Sequence, residues 1–173
     1  KIMAEKEIKL SIIIPCFNEE ESIHYLKEQL GNLRDRLDNS HEYILVDDGS
    51  RDSTFEELKN KFEIGFHDNV LILKHDINRG LGAALRTGTA KARGEYIAAI
   101  DSDCTYEPVY LIEMLERLKS SAAVVITASP YHPEGRTQGI PPYRLFLSRS
   151  LSRLYNKLLN FNDRECVKNK KKK

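Results

Sequence analysis

The stretch Tyr96-Ile97-Ala98-Ala99-Ile100-Asp101-Ser102-Asp103-Cys104-Thr105 decides how the rest of the chain is read. An apolar run ends abruptly in two carboxylates separated by one residue. That pattern fits a buried strand whose last residues emerge at the carboxyl edge of a parallel sheet, where open α/β sheets bind ligands. Alternate strand residues face opposite ways, so the pattern predicts Asp101 and Asp103 on one side. Two such carboxylates repel each other without a cation. A hard, oxygen-seeking ion such as Mg2+ or Mn2+ relieves that repulsion and keeps positions open for substrate phosphates. The plainer alternative is that Asp-x-Asp caps the next helix, expected to start near Pro108.

Upstream, residues 10–15 (Leu-Ser-Ile-Ile-Ile-Pro) are a β-branched run expected as a buried first strand. Asn18-Glu19-Glu20-Glu21 reads as a helix start, with Asn18 as cap and Glu21 three residues on. Ile23, Leu26, Leu30, Leu33 and Leu37 follow as one apolar stripe. Residues 43–46 (Tyr-Ile-Leu-Val) form a second strand that also ends in acid, at Asp47-Asp48-Gly49-Ser50. Ser50, Asp52 and Ser53 compete to cap the following helix, whose inner stripe is Phe55, Leu58 and Phe62 and whose stop is Gly65. A turn accounts for some of this acid, but the segment holds more carboxylate than capping requires.

Residues 70–73 are the third strand, leading through His75 and Asp76 into Asn78-Arg79-Gly80-Leu81-Gly82. Gly80-x-Gly82, with Asp101 roughly 20 residues on, resembles the opening of a dinucleotide fingerprint. Leu85 stands where its third glycine belongs, and the motif follows the third strand instead of the first. The small residues read instead as letting a helix pack close to the sheet, with Gly94 ending it. His24, His41 and His67 show no ligand spacing and are expected on the surface.

Downstream, Leu111, Ile112, Leu115 and Leu118 mark an amphipathic helix, and residues 122–127 a fifth strand. Strand and helix alternating in this way imply an α/β fold with a parallel sheet. Residues 129–142 carry Pro130, Pro133, Pro141 and Pro142 and form a long loop, of the kind that is a functional flap or disordered. Residues 143–159 read as a helix with Leu147, Leu151, Leu154 and Leu158 on one face and Arg144, Arg149, Arg153 and Lys157 beside them. That combination fits a helix lying on an anionic membrane, and equally a surface helix lending its leucines to a core. The expected organisation is one domain over residues 1–159 followed by a disordered basic tail over residues 160–173.

A chain of 173 residues suffices for a domain with a real core. A net charge of +1 argues against a nucleic-acid partner. No run approaches the roughly 18 apolar residues of a membrane span, and no signal-peptide pattern is present. Cys16, Cys104 and Cys166 lie far apart without zinc-ligand spacing and read as reduced thiols of a cytosolic protein.

Three features coincide: Ile14-Pro15-Cys16-Phe17-Asn18-Glu19 after the first strand, Val46-Asp47-Asp48-Gly49-Ser50 after the second, and Asp101-Ser102-Asp103 after the fourth. With Asn78-Arg79-Gly80-Leu81-Gly82 they resemble the family-2 glycosyltransferases of GT-A fold, a mostly parallel Rossmann-like sheet flanked by helices. Within them the likeness is greatest to the dolichyl- or polyprenyl-phosphate mannose synthases. The resemblance covers residues 10–159 and implies a role for each matching position. Pro15, Phe17, Asn18 and Glu19 would cradle the base and ribose of a nucleotide-sugar donor, and Asp47 and Asp48 would contact the nucleoside. Asp101 and Asp103, with Ser102 between them on the donor, would hold Mg2+ or Mn2+ on the donor diphosphate and carry the catalysis. Thr105 stands where some members place a third metal-side ligand. Arg144 matches a basic residue near the phosphates, while Ser129-Pro130-Tyr131 lacks the arginine that many members have before the tyrosine.

The implied reaction moves a hexose, mannose above others, from GDP-mannose or a UDP-hexose to a polyprenyl phosphate. The acceptor phosphate is already an anionic nucleophile, so displacement would invert the anomeric centre without a general base. The implied setting is cytoplasmic, with peripheral contact at the cytoplasmic face of a membrane. Members continue beyond the point matching Leu159 with acceptor-side segments, so this chain is expected to be the donor-binding half. Two other classes compete with the enzyme: a catalytically incomplete nucleotide-diphosphate-binding module, and a nicotinamide-dependent oxidoreductase resting on Gly80-x-Gly82.

Overall fold

The structure is a computed structural model that describes residues 7–38, 40–63, 66, 69–128, 143, 150, 151, 166 and 167. The chain divides into two compact units, Lys1–Leu111 and Ile112–Lys173. In the first unit strand and helix alternate through β1 (Leu10–Cys16), α1 (Ile23–Arg34), β2 (His41–Asp47), α2 (Thr54–Phe62), β3 (Val70–Lys74), α3 (Leu81–Thr89) and β4 (Tyr96–Ala99). The four strands form one sheet in the order β3-β2-β1-β4, and every pairing is parallel. The α/β class with a parallel sheet flanked by helices is therefore as expected.

β1 and β2 are central, and β2 is buried along its whole length. A parallel strand covered on both faces needs apolar side chains on both, which is why these two read as near-continuous runs. Alternation sends Ile13, Ile44 and Val46 to one face, where they pack with Ala84 of α3. Tyr43 points the other way. Its hydroxyl donates to the Leu30 carbonyl of α1 at 3.3 Å, and its ring meets Phe66 edge-on, which in turn meets Phe62 of α2. The stripe predicted for α1 is buried at Ile23, Leu26, Leu30 and Leu33. In α2 the buried positions are Thr54, Leu58 and Phe62, while Phe55 is half-buried beneath the Lys74 ammonium.

Two local expectations are corrected. His41 is not on the surface: it lies on β2 and is 1% exposed. Gly94 does not end α3, which stops at Thr89. It stands at the entry to β4, where an added Cβ would lie 2.6 Å from Ser11 N, so the close approach of two backbones explains that glycine. The same corner is tied by buried Glu42, which accepts from Ser11 Oγ at 2.6 Å and from Arg93 N at 2.7 Å.

The helix α4 (Tyr110–Ser120) crosses into the second unit. The fifth strand is much shorter than the predicted residues 122–127: β5 is Thr127–Ala128, and Val124 and Val125 are exposed. It pairs in parallel with β6 (Cys166–Val167), which lies inside the segment expected as a tail. Of the helix predicted over residues 143–159, Tyr143, Ser150 and Leu151 are described and helical; the rest, Arg144 included, lies outside the described residues, as do residues 129–142. No helix among the described residues is long and apolar enough to cross a membrane.

Candidate donor site at the carboxyl edge of the sheet

The strand order sets the location. From β1 the chain builds outward through β2 to β3, then returns to place β4 on the other side of β1. Open α/β sheets bind ligands outside the carboxyl ends of the strands where the order reverses in this way. Here that crevice lies between the turns that follow β1 and β4, beside the turn that follows β2.

The first turn follows Cys16, and Pro15 stands just before it in β1. Ile13 O accepts from Ile100 N on the β4 side, and the β1–β4 ladder ends at Ile13↔Ala99. Pro15 is two residues on and faces the same side, so its missing N–H breaks no ladder bond. Phe17 is 41% exposed and Asn18 adopts φ +54, a left-handed conformation that Asn tolerates. Asn18 was expected to cap α1, but α1 starts at Ile23 with Ser22 before it. Its side chain serves another turn: Oδ1 accepts from Arg51 N at 2.9 Å, and its own N–H donates to Ser50 Oγ at 3.0 Å. Glu19 N donates to Thr54 Oγ1 at 2.7 Å, and Glu20 Oε2 accepts from Ser53 N at 2.8 Å. The acidic run therefore clamps the β1–α1 turn onto the β2–α2 turn.

Asp47 and Asp48 follow at the end of β2, both buried. Asp47 Oδ1 accepts from Ser50 N at 3.1 Å, whereas Oδ2 is buried with no hydrogen-bond partner among the described residues. A buried carboxylate oxygen without a donor is costly, so this atom marks a place where a ligand group would be welcome. Asp48 is the opposite case. Its Oδ1 accepts from His75 Nδ1 at 2.6 Å and from Arg79 N at 3.0 Å, and its Oδ2 accepts from Gly80 N at 2.7 Å. Burial alone would push its pKa up, but the His75 bond and the two backbone N–H groups outweigh burial and hold it below the usual carboxylate value. Gly49 completes the turn at φ +71, and an added Cβ there would overlap the backbone of Ile77 and lie 2.5 Å from Asn78 N. Only glycine meets both demands.

His75 is the residue that sequence reading passed over. It is 6% exposed, and its Nε2 shares a 2.9 Å hydrogen bond with Thr87 Oγ1 on α3. The available signal was its place directly after a strand, at the edge where the acids collect. The same wiring disposes of the dinucleotide reading: Gly80-x-Gly82 follows an edge strand, and Gly80 N already bonds Asp48.

The turn after β4 is built differently. β4 ends at Ala99, so strand alternation does not reach Asp101 and Asp103, and the reason given for their common side does not hold. A turn produces a related result: Asp101, Asp103 and Thr105 are exposed while Ser102 and Cys104 are buried. Cys104 sits at φ +50 and donates its N–H to Asp101 O at 3.2 Å. Thr105 donates its N–H to Asp103 Oδ1 at 2.9 Å and its hydroxyl to Asp103 Oδ2 at 2.8 Å. Because α4 begins at Tyr110, neither aspartate occupies its N-cap position. Burial first, then Glu19 and Asp47, pushes the Cys16 thiol well up, and burial first, then Asp103 and Asp101, pushes the Cys104 thiol up to about 11.

No group of three His, Cys, Asp or Glu among the described residues is arranged to hold a metal by itself. The donors at this turn are two exposed carboxylates and a hydroxyl, all oxygen. That set fits Mg2+ or Mn2+, which takes one or two carboxylates and completes its shell with water and substrate phosphates. It does not fit the nitrogen- and sulfur-rich cage of a structural zinc.

Comparison with known proteins agrees with this fold. The model of the family described as "Glycosyl transferase family 2" matches residues 11–169. Dolichol-phosphate mannosyltransferase of Pyrococcus furiosus is 29% identical over 145 residues, covering 82% of this chain and 39% of the relative. The uncharacterized glycosyltransferase YkcC of Bacillus subtilis is 32% identical over 120 residues, covering 69% and 36%. Among solved structures, that of S. aureus TarS 1-349 superposes with a TM-score of 0.58 at 25% identity, covering 78% of this chain and 38% of that one. The same protein in complex with UDP gives 0.54 at 25% identity, covering 76% and 38%. The chain thus spans less than two fifths of the length of each of these proteins.

Proposed function

The chain belongs to glycosyl transferase family 2, and from that premise we propose that it binds a nucleotide sugar and transfers the hexose to a polyprenyl phosphate. Mannose is the sugar favoured by the name of the Pyrococcus furiosus relative, and the UDP complex of TarS makes a uridine donor the other candidate. The observation that carries the reading is topological: the switch point between β1 and β4 is flanked by exposed Asp101 and Asp103 on one side and the Phe17–Asn18 turn on the other.

In this reading the nucleoside lies along Pro15, Phe17, Asn18 and Glu19, and one of its N–H or O–H groups donates to Oδ2 of Asp47, which has no partner among the described residues. Asp48 acts from behind, as the anchor that keeps this turn in shape, and not through a direct contact. Asp101 and Asp103 would hold Mg2+ or Mn2+, with Thr105 steadying Asp103. When bound, that ion neutralises charge on the departing diphosphate. The acceptor's phosphate oxygen forms a bond to the anomeric carbon as the bond from that carbon to the donor diphosphate breaks. No proton needs removing from a phosphate that is already ionised, so the site needs no general base. Arg144 is assigned to the donor phosphates on resemblance alone. The lipid tail of the acceptor sets the reaction at a membrane surface.

The test is calorimetric titration with GDP-mannose and UDP-hexoses in Mn2+, followed by transfer of labelled hexose to a polyprenyl phosphate. Binding of one donor with formation of glycosyl lipid phosphate is expected. Failure of every nucleotide sugar to bind would contradict the reading.

A further inference from the structure

The carboxylate of Asp48 is closed in by a residue that the proposed chemistry does not use. His75 directly follows β3, and three of its atoms are engaged: Nδ1 with Asp48 Oδ1 at 2.6 Å, Nε2 with Thr87 Oγ1 at 2.9 Å, and its backbone N–H with Asp47 O at 2.9 Å. An ionised carboxylate only accepts, so in the first of these bonds the imidazole donates. One side chain therefore joins the end of β2, the end of β3 and the body of α3. Asp48 extends the connection by accepting from Arg79 and Gly80 N–H, the backbone that leads into α3. The β2–β3 ladder is already in register from Tyr43↔Val70 to Asp47↔Lys74, so secondary structure alone does not require this extra link.

We infer that His75 is a positioning residue for nucleotide binding, holding the Asp47–Gly49 turn and the loop from His75 to Gly80 as one block. This rests on the reading above that the chain binds a nucleotide sugar. Removing the imidazole leaves a buried carboxylate short of its shortest bond, and such a group turns or draws in water to recover a donor. Asp47 is covalently next to it and carries the oxygen offered to the nucleoside, so the turn cannot relax without moving that acceptor.

The experiment uses the full chain with His75→Asn, His75→Gln and His75→Ala, titrated with UDP and with GDP in Mn2+. Amide hydrogen exchange at Arg79 and Gly80 is measured separately without nucleotide. The asparagine amide reaches the place of Nδ1 and keeps a donor for Asp48. The glutamine amide reaches the place of Nε2 and keeps only the Thr87 link. We expect the Asn variant to bind within about threefold of wild type and the Gln and Ala variants about tenfold or more weaker. Exchange at Arg79 and Gly80 should rise in Gln and Ala but not in Asn. A residue that served folding alone would lower stability in these variants without separating Asn from Gln in the affinity of the folded protein. Equal affinity and equal exchange in the Asn and Gln variants would overturn the inference, and this pair decides even if the Ala variant does not fold. Should wild type bind neither nucleotide, the nucleotide reading fails on its own. Exchange then still decides the positioning role, which falls if the Gln variant keeps wild-type protection at Arg79 and Gly80.

Discussion

The turns after β2 and β4 both end a strand in acid, yet they are built in opposite ways. After β2, Asp48 is buried and bonded to His75, Arg79 and Gly80, while Ser50, Asp52, Ser53 and Thr54 exchange hydrogen bonds with Asn18, Glu19 and Glu20. Three separate βα turns are thereby fused before any ligand arrives. After β4, Asp103 bonds only Thr105 among the described residues, two positions away, and both aspartates stay exposed. The difference separates two tasks. A fixed shape suits recognition of a rigid nucleoside, because the ordering cost is met in folding and not at binding. Exposed carboxylates suit a cation and a diphosphate, which bring their own charge.

The contrast breaks most visibly at Gly49. Gly49→Ala should cost roughly 2–5 kcal/mol of stability, from left-handed strain together with overlap on the Ile77–Asn78 backbone. Urea denaturation reads this directly. Gly82→Ala is the control, since its added Cβ meets nothing nearer than Arg86 at 4.0 Å, and its midpoint should not fall. Similar losses in both variants would mean that the interlock is not special.

Asp103→Asn should do the reverse. Stability should stay within about 0.5 kcal/mol, as for most exposed substitutions, while Mn2+-dependent binding of a nucleotide sugar weakens by about tenfold or more. Thermal melts alongside calorimetry separate the two effects. A smaller, graded effect is expected from acid. Asp48 titrates below its unfolded value, so its contribution is complete above about pH 4 and fades as pH falls through the lower folded value. The urea midpoint of wild type should drop as pH falls below about 4, and Asp48→Asn, already less stable at neutral pH, should drop less steeply. Equal slopes would show that Asp48 is not the anchor described here. Smallest of all, Thr105→Ala removes one of two bonds to Asp103 and should weaken Mn2+-dependent binding by only a few-fold, with no change in melting.

Much of the fold was legible because it rests on local pattern. The β-branched run at residues 10–15 and the stripe from Ile23 to Leu37 each need only their own neighbours to be read, and both are buried as predicted except at Pro15 and at Leu37, which lies beyond the end of α1. The parallel sheet followed from their alternation. What could not be read was anything set by pairing across the sequence. Asn18 looks like a helix cap until its distance to Arg51 is known, and His75 looks like a linker residue until Asp48 and Thr87 come to either side of it. His41 was misplaced for the same reason: a single histidine beside a charged residue carries no sign that both sit on a fully buried strand. The acidic turn at Asp101–Asp103 was found by a strand argument that fails by two residues, since β4 stops at Ala99.

On the proposed reading, the two acidic turns are separable halves of one donor site, the first prebuilt and the second completed by a divalent ion. The most direct measurement is calorimetric titration of UDP and GDP into wild type and Asp103→Asn, each with Mn2+ and with chelator. The account predicts that wild type in Mn2+ binds one of them, and that chelator and the substitution each lower the affinity to the same residual level without adding to one another. An affinity indifferent to both chelator and Asp103→Asn would contradict it.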